Sequence, residues 1–232
     1  MIDYNLLTSE AEKIGVNLGE YGADRFDVYA ERLVRWNEHT NLTAITEPDD
    51  IVIKHFIDSL YPMKYVDFKA GLSLADVGTG AGFPGLPLLI ANPKLEVNFI
   101  DSSGKRINFI KDVLSNIGII AQATQDAGKN PDYREQYDYV TARAVAPLNV
   151  LCEYCIPLVK VGGVFVSLKG ANGMEELEGA KNAIDVLGGE VITAESYKLP
   201  NGDSRTLFVI KKISQTPTKY PRKPKKIDTR PL

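Results

Sequence analysis

The chain has 232 residues, 44% of them hydrophobic and 25% charged, with a formal net charge of −3. That profile fits one large soluble globular domain, with or without a small addition, and excludes wholesale disorder. No apolar run approaches the roughly 18–20 residues of a membrane span, and Met1-Ile2-Asp3-Tyr4-Asn5 lacks the basic and apolar regions of a secretory signal. Two cysteines cannot build a disulfide framework, so a reducing, cytoplasmic setting is expected.

Residues 1–70 read as a helical cap. Phe26, Tyr29, Ala30, Leu33 and Trp36 fall at helical spacing, and so do Ile53, Phe56, Ile57 and Leu60. Thr46-Glu47-Pro48-Asp49 predicts the start of the second helix, as a capping-box-like sequence with an early proline, and Pro62 ends it. The polar stretch 37–43 between the two shows no period.

From Leu72 the rhythm changes. Short apolar runs predict strands over 72–77, 95–101, 118–124, 137–142 and 162–168. Helical patterns fill the gaps, such as Ile107, Ile110, Leu114 and Ile117, then Leu148, Leu151, Cys152 and Cys155. This alternation predicts a parallel sheet covered on both faces. A further helix, from Met174 to Leu187, leads to two strands around 190–198 and 205–211, joined only by Leu199–Ser204. So short a joint forbids a parallel crossover, and these two strands are expected to pair antiparallel. The expected fold is a Rossmann-like, doubly wound α/β domain of seven mostly parallel strands with an antiparallel last strand. Its expected parts are a helical N-terminal cap (1–70), the α/β domain (71–212) and a basic tail (213–232).

The tail carries the charge asymmetry. Residues 211–232 hold eight Lys or Arg against one acid, Asp228, a net +7 that leaves −10 on residues 1–210. Such an end is either a local contact for a polyanion or a solvated, disordered segment.

The strongest motif is Asp76-Val77-Gly78-Thr79-Gly80-Ala81-Gly82-Phe83-Pro84-Gly85, where the first strand turns into a helix. Glycines there admit positive φ and let backbone approach a ligand, and ligands of such sheets bind at the carboxyl ends of the strands. A dinucleotide fingerprint that starts at Gly78 has Phe83 in the slot of its third glycine. Acid-x-Gly-x-Gly-x-Gly looks instead like the S-adenosylmethionine loop of Rossmann-like methyltransferases. Asp101, ending the second strand, is placed to accept both ribose hydroxyls of an adenosyl group, or else to cap the next helix through Ser102-Ser103. NAD asks for the same acid, but the closing hairpin resembles the methyltransferase sheet. Asp126, after the third strand, is placed to meet the adenine edge.

Little in the sequence looks like an acid or base. A cytosine-carbon acceptor needs a nucleophilic cysteine, and an adenine amine an Asn/Asp-Pro-Pro-aromatic segment; the fourth strand instead ends Thr141-Ala142-Arg143-Ala144. Cys152 and Cys155 share the apolar stripe of Leu148 and Leu151, which reads as core packing. The two histidines, His39 and His55, read as structural. A ring nitrogen with a free lone pair, such as guanine N7, needs no general base. A site with many binding residues but no evident acid or base is consistent with N7 methylation carried by positioning.

At this point the chain resembles, nearly end to end, the bacterial 16S ribosomal RNA guanine-N7 methyltransferases known as RsmG or GidB. The resemblance rests on Trp36-Asn37 with Asn41-Leu42-Thr43, His55-x-x-Asp58-Ser59, Asp76 through Pro87 and Asp101-Ser102-x-Gly104-Lys105-Arg106. It continues through Thr141–Ala144, Leu168-Lys169-Gly170 and Tyr220-Pro221-Arg222-Lys223; beyond Lys223 the tail departs from the pattern, with Lys225 where the family commonly has glycine. The resemblance implies S-adenosylmethionine as cofactor, bound by Asp76, Gly78, Gly80, Gly82, Phe83, Asp101, Ser102, Gln125, Asp126 and Arg143. It implies a positive rim of Lys105, Arg106, Lys169, Arg222 and Lys223, with Arg143, for the substrate RNA. The implied partner is 16S ribosomal RNA or the small ribosomal subunit, with no metal, no membrane and a monomeric enzyme. Another methyl acceptor, an NAD-dependent oxidoreductase and a non-catalytic RNA-binding assembly factor remain the competing readings.

Overall fold

The computed structural model describes residues 1–125, 131–143 and 146–232. Two helices, α1 (Tyr4–Lys13) and α2 (Gly22–Thr40), open the chain. The apolar stripe of α2 places Phe26, Tyr29, Ala30 and Leu33 in the core, and the helix runs through part of the polar stretch, to Thr40.

The next segment departs from the single capped helix expected. It consists of α3 (Pro48–Ile51), a π-helical turn (Val52–Ile57), α4 (Asp58–Leu60) and a 3-10 turn (Tyr61–Lys64). Glu47 occupies the N-cap without a side-chain capping bond, so the capping box does not form. The α-helical part ends at Leu60, two residues before Pro62, which lies in the 3-10 turn that follows.

The strands are β1 (Ser73–Val77), β2 (Glu96–Asp101), β3 (Gln122–Gln125), β4 (Tyr137–Arg143), β5 (Val159–Lys169), β6 (Gly189–Lys198) and β7 (Ser204–Lys212). They form one seven-stranded sheet in the order β3-β2-β1-β4-β5-β7-β6. The first five pair in parallel, and β7 pairs antiparallel with both β5 and β6. The third strand starts later than expected, because Gly118, with φ +66°, caps the preceding helix.

Four of the connections carry a helix: α5 (Gly85–Ala91), α6 (Gly104–Ile117), α7 (Leu148–Cys155) and α8 (Gly173–Val186). The N-terminal helices share one apolar core with α5, α6 and a face of the sheet, in which Phe26, Phe56, Phe83, Phe99 and Phe109 meet. The opposite face packs on α7 and α8 and takes in Cys152 and Cys155, both free thiols, and Tyr220 of the tail.

The tail is folded. Ile227, on α9 (Pro224–Thr229), is completely buried. Arg134 donates to the carbonyls of Thr216 and Tyr220, and Arg222 clamps the buried Glu153 of α7 through Nε and Nη2, the shortest contact being 2.6 Å. One of the basic residues of this segment, Arg222, therefore fastens it. Among the described residues no helix is long and apolar enough to cross a membrane.

Candidate active site

Register places the chemistry. Asp101, Gln125, Arg143 and Lys169 are the last residues of β2, β3, β4 and β5, and Gly78 follows the end of β1. Neighbours of β1 are β2 on one side and β4 on the other, so connections leave in opposite directions there and open a crevice at the strand ends.

The turn after β1 is held from beneath. Asp76 is completely buried; its Oδ2 accepts from the Thr79 hydroxyl at 2.6 Å and the Gly85 amide at 3.1 Å, and its Oδ1 from the Thr141 hydroxyl at 2.8 Å. Burial pushes this carboxyl up to about 6 against the effect of those three donors. Asp76 thus shapes the turn instead of facing the crevice. A Cβ on Gly85 would lie 2.7 Å from the Phe99 ring and 2.8 Å from Asp76 Oδ2, which is why glycine starts α5.

Gly78, Gly80 and Gly82 have φ of +66°, +58° and +96°, a region L-residues with side chains avoid. Space separates the last two. A Cβ on Gly82 would collide with Leu86 and Ile110, whereas one on Gly80 would meet only the Gly78 carbonyl, at 3.9 Å. Gly82 serves packing, while Gly80 leaves room beside exposed backbone.

Asp101, 4% exposed, closes that space. Its Oδ2 accepts from the Gly80 amide at 2.9 Å and faces Arg106 at 3.4 Å; its Oδ1 accepts from the Ser103 amide at 2.9 Å. The bond to Ser103 reaches the N-cap residue and not a helical amide, and α6 has no side-chain capping bond. Asp101 thus braces the loop at the strand end without capping the helix. Ser102 and Gln125 adjoin it, with Gln125 Nε2 donating to the Ser102 carbonyl at 3.1 Å. Asp126 lies outside the described residues.

Arg143 stands on the other side of the turn. Its guanidinium carbon lies 4.4 Å from the centre of the Phe83 ring, and the His55 imidazole stacks on that ring at the same centroid distance. Nη1 lies 3.2 Å from Asp58 Oδ2 and within 3.5 Å of the Lys54 and His55 carbonyls and the Ser59 hydroxyl. Nη2 lies 3.1 Å from His55 Nδ1. Burial and the Arg143 charge push the imidazole down to about 3, so it is neutral. Arg143 donates to Nδ1, and the Nε2 proton goes to Thr43 Oγ1 at 2.8 Å. Tyr29 supports the same cluster, its ring tilted against Phe83 at 5.4 Å and its hydroxyl donating to the Ala81 carbonyl.

The expected rim is only partly assembled. Lys105 and Arg106 are exposed at the start of α6, beside Asp101. Lys169 is 7% exposed, donating to the Ala146 carbonyl and paired with Glu176 at 2.8 Å. It is a structural tie, not a surface cation. Arg222 is likewise committed, to Glu153, and Lys223, though exposed, is its neighbour in the chain. Since α7 descends from the end of β4 towards the start of β5, Glu153 near its last turn lies away from the glycine turn. The tail cations therefore do not converge with Lys105 and Arg106.

Asp58, His55 and Tyr29 were missed as site-forming residues. His55-x-x-Asp58 was visible as a motif, but the Arg143 that both residues meet lies 85 or more residues away in sequence.

Residues 23–207 match the family of rRNA small subunit methyltransferase G, GidB. The chain belongs to that family. Ribosomal RNA small subunit methyltransferase G of Lactobacillus delbrueckii subsp. bulgaricus is 46% identical over 98% of both chains. The proteins of that name from Bacillus licheniformis (48%, over 94% of this chain and 93% of that one) and Staphylococcus aureus (47%, over 97% of each) are similar to it as well. Among solved structures, M. jannaschii TYW2 in complex with AdoMet superposes with a TM-score of 0.53 over 67% of this chain and 77% of that one, at 15% identity. TrmN from Thermus thermophilus gives a TM-score of 0.53 at 17% identity, covering 69% of this chain and 53% of that one. These distant likenesses show the fold, a Rossmann-like α/β sheet with an antiparallel last strand.

Proposed function

We infer that this chain transfers a methyl group from S-adenosylmethionine to N7 of a guanine in 16S ribosomal RNA. The observation that carries the reading is the pairing of an open glycine turn at Gly78–Gly80 with a buried carboxylate, Asp101, at the next strand end, in a chain of this family. An adenosyl group fits there: Asp101 is acceptor-only when ionised and faces a backbone with room at Gly80, which suits a ribose diol. Arg106, 46% exposed in its side chain, is free to swing from Asp101 as that diol enters.

Bound at this turn, S-adenosylmethionine supplies an electrophilic methyl group. Every other task falls to the chain. Asp76 fixes the turn through Thr79, Gly85 and Thr141. Asp101, Ser102 and Gln125 hold the nucleoside end, and Arg143 on Phe83 presents a guanidinium to the methionine carboxylate or to the incoming base. Guanine N7 loses no proton on methylation, so no side chain has to take one. The arrangement agrees with this: His55 is neutral and bonded through both ring nitrogens, and both oxygens of Asp76 are occupied. Alignment of donor and acceptor supplies roughly 7–11 kcal/mol of the barrier.

N7 faces the major groove, which is deep and narrow in A-form RNA, so the target guanine belongs to a loop or an opened helix. Lys105 and Arg106 meet its phosphates, and binding weakens with salt. A monomeric enzyme is part of the same reading, and two unpaired thiols suit a reducing cytoplasm. On this reading residues 71–212 hold the donor, 1–70 wall the site through His55 and Tyr29, and 213–232 brace α7.

Purified protein, S-adenosylmethionine and small ribosomal subunits lacking the modification test the assignment. A single new 7-methylguanine in 16S RNA is expected. Methyl transfer to another acceptor, or thermal stabilisation by NAD and not by S-adenosylhomocysteine, overturns it.

A further inference from the structure

One buried charge beside the site, Asp58, has no task in the function inferred so far. Asp58 is 3% exposed and begins α4, directly after the π-helical turn. Its oxygens gather three strands' worth of chain. Oδ2 lies 3.2 Å from Arg143 Nη1 at the end of β4 and 3.5 Å from Arg205 Nε on β7. Oδ1 accepts from the Tyr197 hydroxyl of β6 at 2.8 Å.

A carboxylate this deep persists only when paired and hydrogen-bonded. Here the shorter of its two arginine pairs is with Arg143, which lies on Phe83 of the glycine turn. Of the groups around Arg143 Nη1, Asp58 alone carries a negative charge; the others are two carbonyls and a hydroxyl at 3.3–3.5 Å. His55, the partner of Nη2, is neutral. The π-helical turn brings the Lys54 and His55 carbonyls within reach of the same guanidinium. Neutral groups at such distances define an orientation weakly, whereas a counter-charge at 3.2 Å defines it well.

We propose that Asp58 is a positioning residue for methyl transfer, fixing the Arg143 guanidinium against Phe83 and so tying the N-terminal segment to the donor site. The proposal rests on the reading that Arg143 and Phe83 line that site. It differs from a fold-stabilising role in one respect: the effect of Asp58 must pass through Arg143.

A double-mutant cycle on the full chain tests this. Asp58→Asn keeps the size of the side chain and an oxygen for Tyr197 while removing the charge. S-adenosylhomocysteine binding is measured by calorimetry, and kcat and KM on unmodified small subunits, for Asp58→Asn, Arg143→Gln and the double variant. Asp58→Asn is expected to weaken binding about 10-fold and lower kcat about 100-fold, as ångström-scale misplacement does. The double variant is expected to be no worse than Arg143→Gln alone. Wild-type binding and kcat in Asp58→Asn, or losses that add to those of Arg143→Gln, overturn the proposal. Should Asp58→Asn not fold, Asp58→Glu, which keeps the charge but displaces it, enters the same cycle. If the wild-type protein binds the homocysteine ligand yet methylates no guanine, the functional reading fails and the binding cycle still decides on Asp58.

Discussion

Two arginines, Arg143 and Arg222, are each largely buried against a buried carboxylate, yet they belong to different kinds of structure. Arg222 gives Nε and Nη2 to both oxygens of Glu153 at 2.6–3.0 Å, and its own amide adds a fourth contact at 2.7 Å. Arg143 spreads its guanidinium over five groups at 3.1–3.5 Å and lies on an aromatic ring at the strand ends. Short contacts concentrated on one partner make a bolt. Longer contacts shared among several partners keep the guanidinium in place against Phe83 while leaving it able to meet a ligand's anion as well. Identical residue types thus anchor a tail in one place and face a ligand in the other.

The sharpest way to break this contrast is to remove each arginine. Arg143→Gln is expected to lower methyl transfer by about 100-fold or more, as loss of a preorganised charge does, measured as initial rates on small subunits. Arg222→Ala is expected to leave the donor affinity of the folded protein unchanged while costing stability. It strands Glu153, which is completely buried, and breaking a buried pair in this way costs about 3–5 kcal/mol. Glu153→Gln is expected to cost less, because Arg222 is partly exposed and can turn its charge to water. Urea unfolding checks the order; a larger cost for Glu153→Gln would mean that the tail is not held by this pair.

The two glycines of the turn sharpen the comparison at a smaller scale. Gly85→Ala forces a methyl group against Phe99 and Asp76, and overpacking of this kind costs about 1–3 kcal/mol. Gly80→Ala meets open space but keeps a left-handed backbone. It is expected to be milder in stability and harsher in donor affinity, since its methyl occupies the room beside Asp101. Calorimetry and thermal melts on the pair separate the two roles, and equal donor affinity in both variants would place the ligand elsewhere.

What the sequence made legible follows the same division between local and distant. Strands β1 to β7 stood out as short apolar runs, and the antiparallel ending followed from the brief Leu199–Ser204 joint. Asp76, the glycines and Asp101 were legible as a group because one turn and the next strand end bring them together. Lys169, Arg222 and Asp58 were not. Whether a lysine or arginine is solvated depends on an acid supplied from elsewhere: Glu153 lies 69 residues from Arg222, and Asp58 lies 85 from Arg143. The second helix failed for a related reason. Its spacing was helical, but packing and the Arg143 guanidinium favour a π-helical turn whose carbonyls point to a partner no local pattern contains.

The smallest expected effect concerns pH, and it too separates a residue of the site from one beneath it. His55 ordinarily takes up a proton near pH 6.5, but burial and Arg143 push it down to about 3. The unfolded chain therefore binds a proton that the folded chain refuses. The stability this contributes is present above about pH 6.5 and lost as pH falls towards 3. Asp76 acts in the opposite sense. Burial raises it to about 6, so its folded form keeps a proton the unfolded chain has released, and that contribution is lost as pH rises through about 6. The two slopes oppose each other across the mildly acidic range. His55→Gln can still accept from Arg143 and donate to Thr43, and it is expected to lose less stability than wild type on going from pH 6.5 to pH 4. Asp76→Asn removes the opposing slope, so its acid loss is expected to be steeper than wild type. Thermal melts of the three proteins across that interval check both directions, and parallel curves would mean that neither buried group is shifted by its surroundings.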